Sequence, residues 1–388
     1  MADASTDSDI KPVLADLFDA ISRERQSTLR QYLNQGGTFG LIPYYLTALD
    51  SENRATAETT ALIPTYAFIA SSVHDDAIDE VDTQDSDRKE FLNSHVTGGD
   101  IVFTHLMEEL RSLPDEYDVE RITTKLREIG SGQLREEAVS PTNPGPEELV
   151  SRTEERGVIW GEFPLTVVES GPYSSSLEAI RVSSEETLFV LTVIDDIEDL
   201  PQDIHNDVAS LPLAYVEKSP EEFNTTQEFL TYFLESDAPE HLRELAVERE
   251  SRIETALERF YEETPHSDEA HLGAALDALE WYQRTICSVP VDETVPPSRH
   301  SEIRNCLAAE RPEQERLVRD IVDDTPIQVP ITDQLLSGLD ALPSSDVARM
   351  FVLLTHVETL VQRNLTTSVD HALDNLRDTV DTLPDQSG

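Results

Sequence analysis

An all-α fold is what this sequence predicts, and three observations predict it. Apolar residues recur every three to four positions through most of the chain, the period of a helix buried along one face. Strict apolar–polar alternation, the mark of a strand, is scarce. Glycine is limited to 14 of 388 residues.

The elements follow in order. Lys11 to Leu33 predicts a first helix, with Gly36-Gly37 as its stop. Ala55 to Asp79 predicts a second. Its stretch Thr60 to Val73 is almost wholly apolar or small, which marks a buried helix that Pro64 kinks or begins. Further helices are expected over Asp100–Arg111, Val119–Ala138 and Glu147–Ser170, the last after the loop PTNPGP at 141–146. Ser183 to Asp199 reads as another buried helix around Leu188–Ile194. Gln227–Leu234, His241–Tyr261 and Asp268–Cys287 continue the pattern, and stretches at 300–322, 332–341, 345–364 and 367–382 complete it. SVPVDETVPPS around 288–298 has three prolines and no period, so it reads as a linker. The expected organisation is a helical domain over 1–288, a linker over 289–298 and a helical extension over 299–388. No internal repeat is visible.

Charge restricts the partners. There are 78 acidic and 29 basic residues, a formal net charge of −49, and only four of the bases are lysine. The acids are spread along the chain, so they are not a tail, and the recurrent apolar runs argue against disorder. What remains is a solvated acidic surface of halophile type, soluble and folded in high salt. Such a surface repels nucleic acid and anionic membrane. No apolar run is long enough for a membrane span. The start, MADASTDSDIKP, is acidic and polar, unlike a signal peptide. Cys287 and Cys306 are too few for a disulfide framework, so a reducing, cytoplasmic setting is expected.

An anionic substrate must then be met by metal ions or a local arginine cluster, and the sequence offers the first. His74-Asp75-Asp76-Ala77-Ile78-Asp79 and Asp195-Asp196-Ile197-Glu198-Asp199 each contain DDxxD. On a helix, Asp75 and Asp79 share a face, as do Asp195 and Asp199. Carboxylates one turn apart bridge a hard cation such as Mg²⁺, with Asp76 and Asp196 as further oxygen ligands. An aspartate run in so acidic a chain is ordinarily just solvated. Here both runs close unusually apolar helices, which suits a substrate with a charged head and a hydrocarbon tail. His95 and His105 have no matching acid pattern. Met350 to Leu354 reads as core. Neither Gly36-Gly37 nor Gly98-Gly99 has dinucleotide-loop spacing.

At these residues the chain resembles the trans-isoprenyl diphosphate synthases, the polyprenyl synthetase family, over roughly residues 30–288. HDDAID at 74–79 is similar to the family's first motif, and Gly99-Asp100 to the Gly-Asp that follows it. VIDDIED at 193–199 resembles the second motif, and Ser210-Leu211-Pro212 the element after it. Gly132-Gln133 and Arg152-Thr153 fall where the family has Gly-Glu/Gln and Lys-Thr. The resemblance implies a class I isoprenoid synthase-like helical bundle around a central apolar cavity, Mg²⁺ as cofactor, and a prenyl diphosphate as substrate. It implies that the two motifs face each other across the cavity, and it allows a homodimer. It also implies that Arg152 contacts the diphosphate, with Arg88 and Lys89 as nearby bases. A tail would run down the helix that ends in the first motif, past Ser71, Ala70 and Ala67 to Tyr66 as a floor. The bland alternative is that Tyr66 packs in the core.

The chain also departs from the family. Residues 36–43, GGTFGLIP, carry no base where the family binds a second, homoallylic diphosphate. The Arg-Arg pair after the first motif is missing. Thr192 stands in place of Gln, and Asp203-Ile204-His205-Asn206 in place of Gly-Lys. Chain elongation to a geranylgeranyl-like length is therefore weighed against a single-substrate or head-to-head class I reaction, since DLPQD at 199–203 also gives a DxxxD. A non-catalytic partner of an active synthase is the third reading.

Overall fold

The computed structural model describes residues 26–51, 53–79, 88–136, 146–173, 176–206, 208–286, 297–324, 347–348, 350–351, 354–355 and 369–382. Among them the protein is all-α, with no strand. Helices α1 (Gln26–Asp50), α2 (Arg54–Asp79), α3 (Arg88–Ser112), α4 (Val119–Glu136), α5 (Pro146–Glu169) and α6 (Glu178–Glu198) come first. Then follow α7 (Leu200–Asn206), α8 (Thr226–Glu235), α9 (Ala238–Glu263), α10 (Asp268–Trp281), α11 (Pro297–Ala308), α12 (Arg311–Asp324) and α13 (Val369–Thr382). None of the described helices is long and apolar enough to cross a membrane.

The chain divides into two compact units whose segments interleave in sequence. The first comprises Met1–Thr123, Pro164–Ser175 and Pro265–Leu365; the second comprises Thr124–Phe163, Ser176–Thr264 and Thr366–Gly388. Most of the expected linker, 289–296, lies outside the described residues, and Pro297 and Ser298 already open α11.

In the first unit α1 packs on α2 and α10, and α2 packs on α3. The expected stop at Gly36-Gly37 is not observed: α1 runs through both glycines and through Pro43 to Asp50. These glycines serve as contact points. A Cβ on Gly36 would lie 2.9 Å from Ile69 Cγ1 of α2. One on Gly37 would lie 2.2 Å from Ile286 Cγ2, in the π turn Tyr282–Ile286 that prolongs α10. One on Gly40 would lie 2.5 Å from the Trp281 ring and 2.7 Å from the Ala61 carbonyl oxygen. The absence of side chains on this stripe lets α1 reach its neighbours, and packing gain overrides glycine's poor helix propensity. Trp281 is fully buried and stacks on Tyr44 at 5.4 Å. Pro64 sits inside α2 rather than at its start.

The stretch expected as one helix over 300–322 is broken at Ala309–Glu310 into α11 and α12. Cys306, Val318 and Ile321 from these helices form a small core with Leu276 of α10 and with Val347, Met350 and Phe351. Met350 is thus core, as its sequence context suggests. Burial pushes the free Cys306 thiol up to about 11. The stretch 332–341 and most of 345–364 lie outside the described residues.

The second unit is built on α6, which packs against α9 and α13. Its core joins Phe189, Val193 and Ile197 of α6 to Phe229 and Phe233 of α8, Leu242 of α9, and Val369, Ala372, Leu373, Leu376 and Val380 of α13. The spacing of that last set is the apolar face of one amphipathic helix. Two polar links fasten α13: Arg243 Nε donates to Asp370 at 2.6 Å, and Gln227 Nε2 donates to the Val380 carbonyl at 2.9 Å. On its other flank α6 meets α5, where Ser184 Oγ donates to the Gly161 carbonyl at 3.0 Å.

Gly40→Ala should test the close approach in the first unit. The Ala61 carbonyl is backbone and has little room to move, so the added methyl forces the helices apart. A loss of about 1–3 kcal/mol in denaturant unfolding is expected, the usual cost of overpacking. Wild-type stability would refute the contact.

Candidate functional site

Each aspartate motif closes a buried helix and is tied to the element that follows it. In the first unit, α2 ends in Val73-His74-Asp75-Asp76-Ala77-Ile78-Asp79. Val73 and Ala77 are buried and anchor the inner face. His74 and Asp75 are half-buried, while the side chains of Asp76 and Asp79 lie outside the described residues. His74 lies over Gly99 of α3, where a Cβ would come 2.2 Å from its Nε2, and that nitrogen is 3.7 Å from Asp100 Oδ1. Gly99-Asp100 therefore has a physical reason: the glycine makes room for the motif's histidine and the aspartate faces it.

In the second unit, Val193, Ile194 and Ile197 are buried while Asp195 and Asp199 are exposed. Asp199 caps α6, and its N–H donates to the Asp195 carbonyl at 2.8 Å. The Asp203 N–H donates in turn to the Asp199 carbonyl at 2.9 Å. Helical register thus persists through the motif, which places Asp195 and Asp199 one turn apart on the solvent side. Asp196 differs. It is 5% exposed, and its Oδ2 accepts the Leu211 N–H at 3.1 Å. It fastens the start of the 3₁₀ turn Leu211–Tyr215 to the end of α6.

Among the described residues, no group of three or more His, Cys, Asp or Glu side chains gathers as a metal site. The donor set nevertheless fits Mg²⁺. The donors are all oxygen, and Mg²⁺ uses one or two carboxylates, keeping its other positions for water and phosphate. The helix ends add a reason for a cation. The last turns of α2 and α6 contain no base of their own, and their carboxylates lie at the helix's negative pole.

The other expected site residues are placed as follows. Arg152 on α5 is half-buried and donates to Glu148 of its own helix at 2.6 Å. A pair of this kind contributes about 0.3–0.5 kcal/mol, little enough for a diphosphate to displace. Lys89 is exposed near the start of α3, and the Arg88 side chain lies outside the described residues. Ala67 and Ala70 are buried on α2, and Ser71 is half-buried. Tyr66 is 1% exposed, with its ring centroid 6.1 Å from that of His105. Burial, then Glu109 and Glu108, raise its hydroxyl pKa. His105 also pairs with Glu108 at 3.2 Å, and His95 stacks on Phe91 at 4.0 Å. Thr192 Oγ1 donates to the Leu188 carbonyl at 2.9 Å.

Sequence reasoning missed two charged networks in the second unit. The Arg249 side chain, 10% exposed, donates to Glu154 of α5 at 2.6 Å and Glu186 of α6 at 2.8 Å. Its guanidinium lies 4.0 Å from the Phe189 ring centroid. Losing one partner of such a buried set costs about 3–5 kcal/mol. A signal was available, because Arg249 occupies the apolar register of α9 with Leu242, Ala246, Ala256 and Phe260. The second network pairs Lys125 of α4 with Glu162 of α5 and, at 3.2 Å, with Glu128. Burial opposes the Lys125 charge, but these bonds outweigh it and raise the pKa. Arg181 of α6 lies 3.8 Å from Glu162. Burial, then Glu162, raise the pKa of Glu185 beside it.

No family model matches the chain, and no curated protein matches it. Among solved structures, it is similar to geranylgeranyl pyrophosphate synthetase from Pyrococcus horikoshii Ot3. The identity is 16%, the match covers 69% of this chain and 94% of that one, and the TM-score is 0.49.

Asp195→Ala and Asp196→Ala should separate the two roles in the second motif. In EDTA, Asp196→Ala orphans the Leu211 N–H and should lower stability by about 1–3 kcal/mol. Asp195→Ala removes an exposed carboxylate at a helix C-terminus and should cost less stability than Asp196→Ala. Equal losses in urea unfolding would refute the distinction.

Proposed function

We propose that the chain is a class I isoprenoid-diphosphate enzyme that ionises an allylic prenyl diphosphate with Mg²⁺, in the manner of a trans-prenyltransferase that elongates chains. One observation carries the reading: two DDxxD motifs close buried apolar helices, and each is tied to its own downstream element. Asp75 and Asp79 in the first motif, and Asp195 and Asp199 in the second, would hold the metal, with Asp76 and Asp196 behind them. Bound Mg²⁺ would neutralise the diphosphate and stabilise charge on the leaving group. Arg152 would exchange Glu148 for a diphosphate oxygen, with Arg88 and Lys89 as further bases. The apolar face of α2 would exclude water from the allylic cation, leaving it to react with a second isoprenoid.

A second reading has its own support. GGTFGLIP at 36–43 carries no base, and its glycines are packed against Ile69, Ile286 and Trp281. That segment is committed to helix contact, which favours a reaction needing one diphosphate site, such as a cyclisation.

Incubation with farnesyl and geranylgeranyl diphosphates and Mg²⁺, with and without isopentenyl diphosphate, distinguishes the readings. Incorporation of the isopentenyl unit supports elongation, and a hydrocarbon or alcohol without it supports the second reading. No Mg²⁺-dependent turnover in either arm leaves a non-catalytic partner. Asp75→Ala or Asp195→Ala should lower turnover at least 100-fold with the fold retained by circular dichroism. Arg152→Ala should raise KM about tenfold, and an unchanged KM removes Arg152 from the site.

The tail reading has a separate test. If Tyr66 is the floor beneath Ala67, Ala70 and Ser71, Tyr66→Ala should lengthen the chains accepted and Ala70→Phe should shorten them. An identical product profile in both variants leaves Tyr66 a packing residue of the core.

A further inference from the structure

The last turns of α2 leave one stripe accessible. Counting back from Asp75 at helical spacing reaches Ser72, Ser71 and Phe68, which share its face. All of these are half-buried, whereas Ile69, Ala70 and Val73, on the rest of the circumference, are buried. The stripe loses polarity with distance from the carboxylate. Ser72 Oγ donates to the Phe68 carbonyl at 3.1 Å, so its hydroxyl is turned onto its own backbone. Phe68 then presents a ring.

The next members of the stripe, Thr65, Pro64 and Ala61, are buried. Helix α1 covers Thr65 and Ala61. A Cβ on Gly36 would lie 3.0 Å from the Thr65 carbonyl oxygen, and one on Gly40 would lie 2.7 Å from both Thr65 Oγ1 and the Ala61 carbonyl oxygen. Phe39 stands between these glycines on the same face of α1, and its half-buried ring stacks on Phe68 with centroids 4.7 Å apart. The glycines already bring the two helices together, so the aromatic pair lies at the edge of their contact, where the accessible stripe ends. Asp75 and Phe68 are about 10 Å apart along the helix axis at the usual rise per residue. A ligand anchored at Asp75 thus meets small residues, then two stacked rings, then a closed end. That order suits a charged head followed by a short hydrocarbon tail, whose apolar area the rings would remove from water.

We propose that the stacked rings of Phe39 and Phe68 are a specificity-determining surface: they receive the hydrocarbon of the diphosphate held at Asp75 and stop it there, so the ligand is a short prenyl diphosphate of geranyl size. The inference rests on the metal-dependent reading above. It makes Tyr66, buried against His105 of α3, a packing residue.

Calorimetry in Mg²⁺ tests it with inorganic pyrophosphate and with the thiolo analogues of geranyl and geranylgeranyl diphosphate, which resist ionisation. Wild type should bind the geranyl analogue more tightly than pyrophosphate, and the geranylgeranyl analogue no more tightly than the geranyl. Phe68→Ala and Phe39→Ala should each weaken the geranyl analogue about tenfold, equivalent to ~1.4 kcal/mol, and leave pyrophosphate unchanged. Phe68→Leu keeps the helix contact apolar, so it should fold even where alanine does not, and it should lose part of the same preference. An unchanged preference for the geranyl analogue over pyrophosphate in these variants, or an equal loss for both ligands, overturns the inference and leaves the metal reading standing. A wild-type protein that shows no tail preference, or that prefers the geranylgeranyl analogue, overturns it as well. Absence of pyrophosphate binding by wild type overturns both.

Discussion

Carboxylates at the C-terminal end of a helix face the negative pole of its aligned peptide dipoles. This protein does so twice, at Asp75–Asp79 and at Asp195–Asp199, and supplies no base in either last turn. At these two ends they sit on apolar stems, because Val73, Ala77, Val193 and Ile197 are buried. Under the proposed function a divalent cation would oppose that negative pole.

In the second unit the stem is held by the few cations available. Arg249 ties α6 to α5 and α9 through Glu186 and Glu154, and its guanidinium lies over the ring of Phe189, three residues after Glu186. Lys125 and Arg181 converge on Glu162. With 29 bases against 78 acids, three buried or half-buried cations around α5 and α6 are a large local investment. They oppose the self-repulsion that so negative a chain otherwise suffers.

Much of this was legible in the sequence. The apolar runs before both motifs located α2 to within a residue and the end of α6 likewise, because burial leaves a continuous hydrophobic signature, while α6 begins at Glu178, five residues before the expected Ser183. Gly36-Gly37 misled, since the rule that glycine ends helices cannot see Trp281, Ile286 or Ile69 waiting on neighbouring elements. The break between α11 and α12 was also missed, although Pro312 in the first turn of α12 signals it, since proline is tolerated at a helix start and not in its interior. Within the candidate site, the carboxylates announced themselves by spacing. The role of Asp196 did not, because it depends on a backbone N–H fifteen residues downstream.

Helix α13 has a consequence for biosynthesis. It fills a trough in the second unit with five apolar side chains, and Gln227 reaches Val380 across 153 positions of sequence. Helices α6, α8 and α9 therefore leave the ribosome with that trough open, and its filler is translated on the order of a hundred residues later, or about 5–20 s at ordinary elongation rates. An apolar trough exposed for seconds invites association between nascent chains. The heavy negative charge that complicates the folded state is then protective, because polysomal neighbours repel one another until α13 arrives.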